Sequence, residues 1–265
     1  MRKITRIEDM KLIQLDIMDK IHIFCEENNI SYCLSHGSLL GAVRHKGYIP
    51  WDDDIDIFMK RDDYEKFCKE FPLYQNIYNL KLANTDTEVY YGRAMSKVFD
   101  DRTILMEPNY IGDDNLGVNI DIWPLDGAPS DSTQRKKHLK RIEFIKKIFY
   151  GRIVRASDCK GLHQKIIHFL LLPLSSKKLV HKIIYLQKQY PFNSSDLVSC
   201  YVDPYKKFFR REWFSDRVLV PFEDRKYYIP VNAHEILSEL YGDYMQLPPF
   251  EKQQPHHLVN VYWKD

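Results

Sequence analysis

Residues 54–57 read Asp-Ile-Asp-Ile, followed by Phe58 and Met59, and this alternation limits what the chain can fold into more than any other stretch. Side chains two apart on a strand share a face. Asp54 and Asp56 therefore point the same way, and Ile55 and Ile57 enter the core. Asp52 extends the acidic row, although Pro50 places it at the strand's beginning. It is read as a third ligand, a base for a hydroxyl, or a partner of a ligand. Asp53 faces the other way, as a structural or solvent-facing residue. Like charges on one face of an apolar strand are tolerated at open solvent, in an ion pair, or around a hard cation bound by oxygen, such as Mg²⁺ or Mn²⁺. The bland alternative is an Asp-rich surface turn. Just upstream come a small turn, Gly37-Ser38, and a basic, aromatic loop with Arg44, His45, Lys46, Tyr48 and Trp51. Cations that hold phosphoryl oxygens beside carboxylates that hold a metal suggest a phosphate-bearing substrate. A helix starting near Ser38 would aim early backbone N–H groups at it.

A second acidic strand lies far along the chain. In Gly117–Trp123, GVNIDIW, Val118, Ile120 and Ile122 share one face and Asn119 and Asp121 the other. Asp54, Asp56 and Asp121, brought together from two strands, would hold one or two divalent ions. The alternative is a surface Asp on an edge strand. Arg93 and Lys97 are weaker candidates for the phosphates. Asp126 is expected to cap the turn before Gly127.

The run GSLLGAVRHKGYIPWDDDIDI resembles the signature of the LicD family, with fukutin and the fukutin-related protein as distant animal relatives. DIWPLDG at 121–127 resembles the family's second motif, and Tyr241–Met245 with Pro248-Pro249 resembles its conserved end. The resemblance implies an α+β fold, a nucleotidyltransferase-like mixed β-sheet flanked by helices. It also implies transfer of a phospho-alcohol, above all phosphocholine, from a CDP-alcohol such as CDP-choline to a glycan or lipid-linked glycan, with CMP released. Asp52, Asp54, Asp56 and Asp121 would form the catalytic set, with Asp54, Asp56 and Asp121 on the metal. Gly37, Ser38, Arg44, His45, Lys46, Trp51, Arg93 and Lys97 would line the donor. A quaternary ammonium favours aromatic walls, for which Trp51, Tyr48, Tyr91 and Trp123 are available. His256 and the C-terminal tyrosines are candidates for the acceptor side, with core packing as the alternative. The carboxylates alone equally permit nucleotidyl transfer from a nucleoside triphosphate. A noncatalytic binding or scaffold protein is the third reading.

Charge divides the chain. Residues 134–190 carry fifteen Lys or Arg against Glu143 and Asp158, a net of +13, within a chain of 265 residues and net charge +2. Such a field suits an anionic membrane, or is simply a solvated face; no nucleic-acid motif accompanies it. Apolar periodicity predicts helices over 7–29, through the stripe Leu139 to Phe149 up to a break near 156–161, over roughly 162–172, and from 175 or 176, with Ser132 and Thr133 as caps of the first basic one. The domain expectation is a catalytic core at 1–133, a basic helical insertion at 134–190, and a part at 191–265 that completes the core and acceptor side. The most apolar run, IIHFLLLPL at 166–174, is expected either as a buried helix or as a patch lying on a membrane. It is too short to span one. Five scattered cysteines without metal spacing, and an N-terminus without an apolar signal segment, lead to the expectation of a cytoplasmic protein with reduced thiols, peripheral at most on the membrane.

Overall fold

A computed structural model describes residues 1–87, 89–90, 92–106, 116–154, 156–159, 161–253 and 260–264. In chain order the first elements are β1 (Arg2–Ile4), α1 (Ile7–Glu27), β2 (Tyr32–Leu34), α2 (His36–Arg44), β3 (Asp56–Lys60), α3 (Arg61–Glu70) and α4 (Gln75–Tyr78). They are followed by β4 (Leu80–Asn84), β5 (Val89–Tyr90), β6 (Ser96–Asp100), β7 (Thr103–Met106) and β8 (Asn119–Ala128). The helices α5 (Ser132–Ile153), α6 (Gly161–Leu171) and α7 (Ser176–Gln187) come next. The chain ends on β9 (Leu197–Ser199), β10 (Phe209–Arg210), β11 (Arg217–Phe222), β12 (Arg225–Pro230), α8 (Ala233–Tyr241) and β13 (Asn260–Trp263). The fold is α+β, a mixed sheet flanked by helices.

The sheet is organised on β8. It pairs in parallel with β3, antiparallel with β6 at its start and antiparallel with β9 at its end. Alternation predicts a strand to Trp123, yet β8 continues through Pro124 to Ala128. Proline lacks the N–H a ladder needs. It is tolerated because β6 leaves this edge at Ile122 and β9 joins it only at Asp126. Residues 77–83 hold the end of α4 and then β4; β1, β7 and β13, too short to show a period, form a small separate sheet.

Helix α1 lies against the sheet through Ile17, Met18, Ile21 and Phe24, all fully buried. Each such side chain contributes about 1.5–3 kcal/mol relative to exposure. They join Ile55, Ile57, Ile120 and Ile122 in one core, which also takes in Val198, Phe209, Phe222 and Tyr227 from the C-terminal part. Helices α5 and α7 build a second, smaller cluster through Ile142, Phe149, Val180 and Ile183, closed by Ala94, Ala128 and Tyr201. The cap of α5 is Asp131, whose carboxylate accepts the Gln134 N–H at 2.8 Å, and not Ser132 or Thr133. Asp126 does not cap a turn. It sits 1% exposed in β8, where Arg61 donates Nε to Oδ1 at 2.7 Å and Nη2 to Oδ2 at 2.6 Å.

Candidate active site

Strand β3 begins at Asp56, so Asp54, expected on the strand, lies just before it. Leu34 pairs with Ile57, and the Ser35 N–H donates to the Asp56 carbonyl at 2.9 Å. The chain then turns directly into α2, so Asp56 stands beside the first turn of that helix. Ser38 on this turn accepts the Asp56 N–H on its hydroxyl at 2.9 Å. A Cβ on Gly37 would come 2.5 Å from Asp52 Oδ2, so the helix start and that carboxylate are in close contact. Gly41 serves the next turn in the same way: a Cβ there would overlap the Gly47 carbonyl. Helix dipoles favour negative charge at this end.

Parallel pairing supplies the third carboxylate. Asp56 lies level with Asp121, and on the other side of β8 Lys97 lies level with Asp121 as well. Lys97 Nζ is 2.6 Å from Asp121 Oδ1 and donates to Asn119 Oδ1 at 3.0 Å. Trp123 Nε1 donates to Asp56 Oδ1 at 2.9 Å. Burial pushes the Asp56 carboxyl well above the usual carboxylate range, reinforced by the charges of Asp54 and Asp121. Burial also raises Asp52.

Two cavities meet on these groups. Asp54, Asp56, Trp123 and Pro204 line both. The larger, about 1160 Å³, also holds Asp121, Arg93 and Lys97, with Lys146, Lys147 and Tyr150 from α5 and Lys206. The smaller, about 790 Å³, holds Gly37, Arg44, Trp51 and Asp52, with His36, Asp203, Tyr205, Tyr241 and Asp243. In this second cavity His36 Nε2 is 3.0 Å from Asp203 Oδ2, across 167 positions of sequence.

The expected donor-binding residues are therefore dispersed. Arg93 and Lys97 share the carboxylate-lined larger cavity; Arg44, Gly37 and Trp51 lie in the other. Arg44 is held there, donating Nη1 to the Tyr244 carbonyl at 2.6 Å and Nε to His45 at 2.9 Å. Ser38 acts on the backbone of Asp56. His45 and Lys46 line neither cavity. Lys46 turns toward the β11–β12 hairpin, with φ of 61° and its carbonyl accepting the Glu223 N–H at 2.8 Å. Asp53 is buried, not solvent-facing, and its carbonyl accepts from Gln14. Tyr48 is buried too, donating to Gln14 Oε1 at 3.0 Å, and so is no wall of a cation pocket. Tyr91 and His256 lie outside the described residues.

Asp203, Lys146, Lys147 and Lys206 enter without a motif of their own. Lys146 and Lys147 look like any pair on a basic helix, and only the docking of α5 buries Lys146 and sets both along the cavity. The one available signal was Asp203-Pro204-Tyr205, an Asp-Pro turn.

Among the described residues no three His, Cys, Asp or Glu side chains converge as closely as a formed metal site requires. The donor set still fits a hard divalent cation. Asp54, Asp56 and Asp121 offer only oxygen to one cavity, where burial first, and then repulsion from Asp54 and Asp121, raises Asp56. A dication would offset that repulsion, part of which Lys97 now balances.

A mixed sheet with carboxylates level on paired strands, at the foot of a large cleft, defines a nucleotidyltransferase-like domain. The family model LicD/FKTN/FKRP, nucleotidyltransferase domain, matches residues 29–150. Over 99% of both chains, this one is 34% identical to the lipopolysaccharide cholinephosphotransferase LicD of Haemophilus influenzae. It is 28% identical to the mouse ribitol 5-phosphate transferase FKRP over 106 residues, 37% of this chain and 17% of that protein. An uncharacterised protein of Rickettsia typhi is 40% identical over 78 residues, 29% of this chain and 25% of its own. The chain belongs to the LicD family.

Proposed function

We propose that the protein transfers phosphocholine, or a related phospho-alcohol, from a CDP-alcohol to a hydroxyl of a cell-surface glycan or its lipid-linked precursor. The observation that carries this reading is the register of Asp56 against Asp121 at the junction of two cavities, in a chain collinear with a lipopolysaccharide cholinephosphotransferase. Asp54, Asp56 and Asp121 would hold one or two Mg²⁺ or Mn²⁺ ions, which supply charge to the donor's diphosphate when bound. Lys97 and Arg93 face the same diphosphate from the larger cavity. The acceptor oxygen bonds to the phosphorus that carries the alcohol as that phosphorus separates from its bridging oxygen. The electron pair leaves on CMP. Asp52 lines only the smaller cavity, so it is the group we assign to receive the hydroxyl's proton. Positioning and charge do most of this work, since phosphoryl transfer needs little covalent help.

Helix α6 supports work at an anionic membrane. The run 166–174 is not a buried helix: Ile166, Phe169 and Leu170 project to solvent, with Phe169 62% and Leu170 73% exposed, as does Leu162 earlier in α6. Lys165 on the same helix, and Lys177 and Lys178 in the first turn of α7, are exposed as well. Exposed apolar side chains with lysines nearby in sequence suit the interfacial zone of anionic lipid. Among the described residues no helix is long and apolar enough to cross a membrane. Through these exposed side chains we place the protein peripherally, at the inner face of the membrane.

The test is CMP release from CDP-choline by purified protein with Mg²⁺ or Mn²⁺, with and without glycan acceptor, together with phosphocholine counted on the acceptor. Diphosphate released from a nucleoside triphosphate would instead make the protein a nucleotidyltransferase. Full function in Asp54→Ala would leave only a binding or scaffold role.

A further inference from the structure

The two cavities differ in charge and in wall chemistry. On the larger side the groups beyond the acidic trio are mostly cationic: Arg93, Lys97, Lys146, Lys147 and Lys206, against Glu143. Glu143 is engaged by two of them, with Lys146 at 2.9 Å and Lys206 at 2.7 Å. On the smaller side Arg44 faces Asp52, Asp203 and Asp243. Its walls are aromatic. Tyr205 and Tyr241 meet edge to face with centroids 5.6 Å apart, and Trp51 and Trp123 line the same space. Tyr205 also lies nearly parallel to the His36 ring, 23° between planes, and Asp203 fixes its backbone by accepting the Tyr205 N–H at 2.7 Å. One ring of this wall is therefore placed by the carboxylate behind it.

We propose that the site has an electrical polarity that orients the donor: the nucleotide and its diphosphate lie in the basic cavity, and the smaller cavity is a subsite for a cationic alcohol, selected by Tyr205, Tyr241, Trp51 and the carboxylates of Asp203 and Asp243. This deepens the phospho-alcohol transfer reading and rests on it. A quaternary ammonium is weakly hydrated and bulky, and it gains from aromatic faces more than a neutral polyol does. An anion in that space would meet three carboxylates, whereas in the other it meets the lysines. The phosphorus to be transferred then sits over Asp54 and Asp56, which both cavities share. CMP departs into the basic cavity, and the acceptor hydroxyl approaches from the opposite, aromatic side, as an in-line displacement requires.

The experiment measures binding of CDP-choline, CDP-glycerol and CMP by calorimetry in Mg²⁺, and CMP release from both donors. The wild type is expected to prefer CDP-choline to CDP-glycerol. Tyr205→Ala and Asp243→Asn alter exposed residues, so the fold is expected to stand. Each should reduce the preference by about 2- to 30-fold, the range of a cation over one aromatic face, with CMP affinity unchanged. Lys147→Ala should weaken all three ligands alike. Equal losses for both donors in Tyr205→Ala and Asp243→Asn overturn the subsite. So does a wild type that turns over CDP-glycerol as well as CDP-choline, an outcome that leaves phospho-alcohol transfer standing. Absence of CMP release from either donor overturns the transfer reading and the subsite with it.

Discussion

Trp123→Phe tests the acidic centre without touching a ligand. The indole N–H donates to Asp56 Oδ1 at 2.9 Å, and Asp56 is only 8% exposed. Phenylalanine keeps an aromatic wall on both cavities and removes that donor. A hydrogen bond to a buried charged group contributes about 1.5–3 kcal/mol, and its loss leaves the ionised carboxylate less favoured. The side chain also loses the contact that fixes its rotation toward the cavity. Outer contacts of this kind change metal affinity by roughly 10–100-fold, which is the same scale. The expected result is therefore a rise of that order in the Mg²⁺ concentration for half-maximal CMP release, and a matching loss in a Mn²⁺ titration by calorimetry. Activity should recover at high metal. A metal requirement that moves less than about twofold, against the 10–100-fold expected, would refute the claim that Asp56 is a metal ligand oriented by Trp123.

Three further predictions follow from particular contacts. Asp56→Ala and Asp121→Ala should abolish turnover and leave far-UV circular dichroism and cooperative melting intact, whereas Asp126→Ala strands the Arg61 charge in the core and should cost about 3–5 kcal/mol in a urea melt; a mild Asp126→Ala would show that pair to be dispensable. In EDTA, Asp56 has its folded pKa raised above the unfolded value by burial, so its stabilising share is complete below the ordinary carboxylate range and is lost as pH rises through the raised folded value. The metal-free melting temperature should accordingly fall over that window, less so in Asp56→Asn, and added Mg²⁺ should restore it most at the upper end; identical pH slopes for the two proteins would show that Asp56 ionises without strain. Phe169→Ser with Leu170→Ser should weaken sedimentation with phosphatidylglycerol vesicles by tenfold or more, since each buried apolar side chain contributes about 1.5–3 kcal/mol; unchanged sedimentation at low salt would remove α6 from the membrane.

Local pattern was enough for much of this protein. Alternation placed Ile55 and Ile57 in the core and set Asp54 and Asp56 apart from it, because a strand's two-residue period is a property of the chain itself. The 3.6-residue stripe of α1 and the basic helices after residue 131 were legible for the same reason. What the tertiary structure decided depends on contacts between distant segments. The pairing of Asp56 with Asp121, the ion pair of Arg61 with Asp126 and the meeting of His36 with Asp203 span 65 to 167 positions. No local period encodes the register between two strands, and none encodes the face by which a helix docks. So Lys46, inside the motif, turned toward a hairpin, while Lys146 and Lys147, a hundred residues on, came to line the cavity. The same limit applies to α6: its apolar composition was plain, but whether that face met a core or solvent depended on where the other helices had already packed.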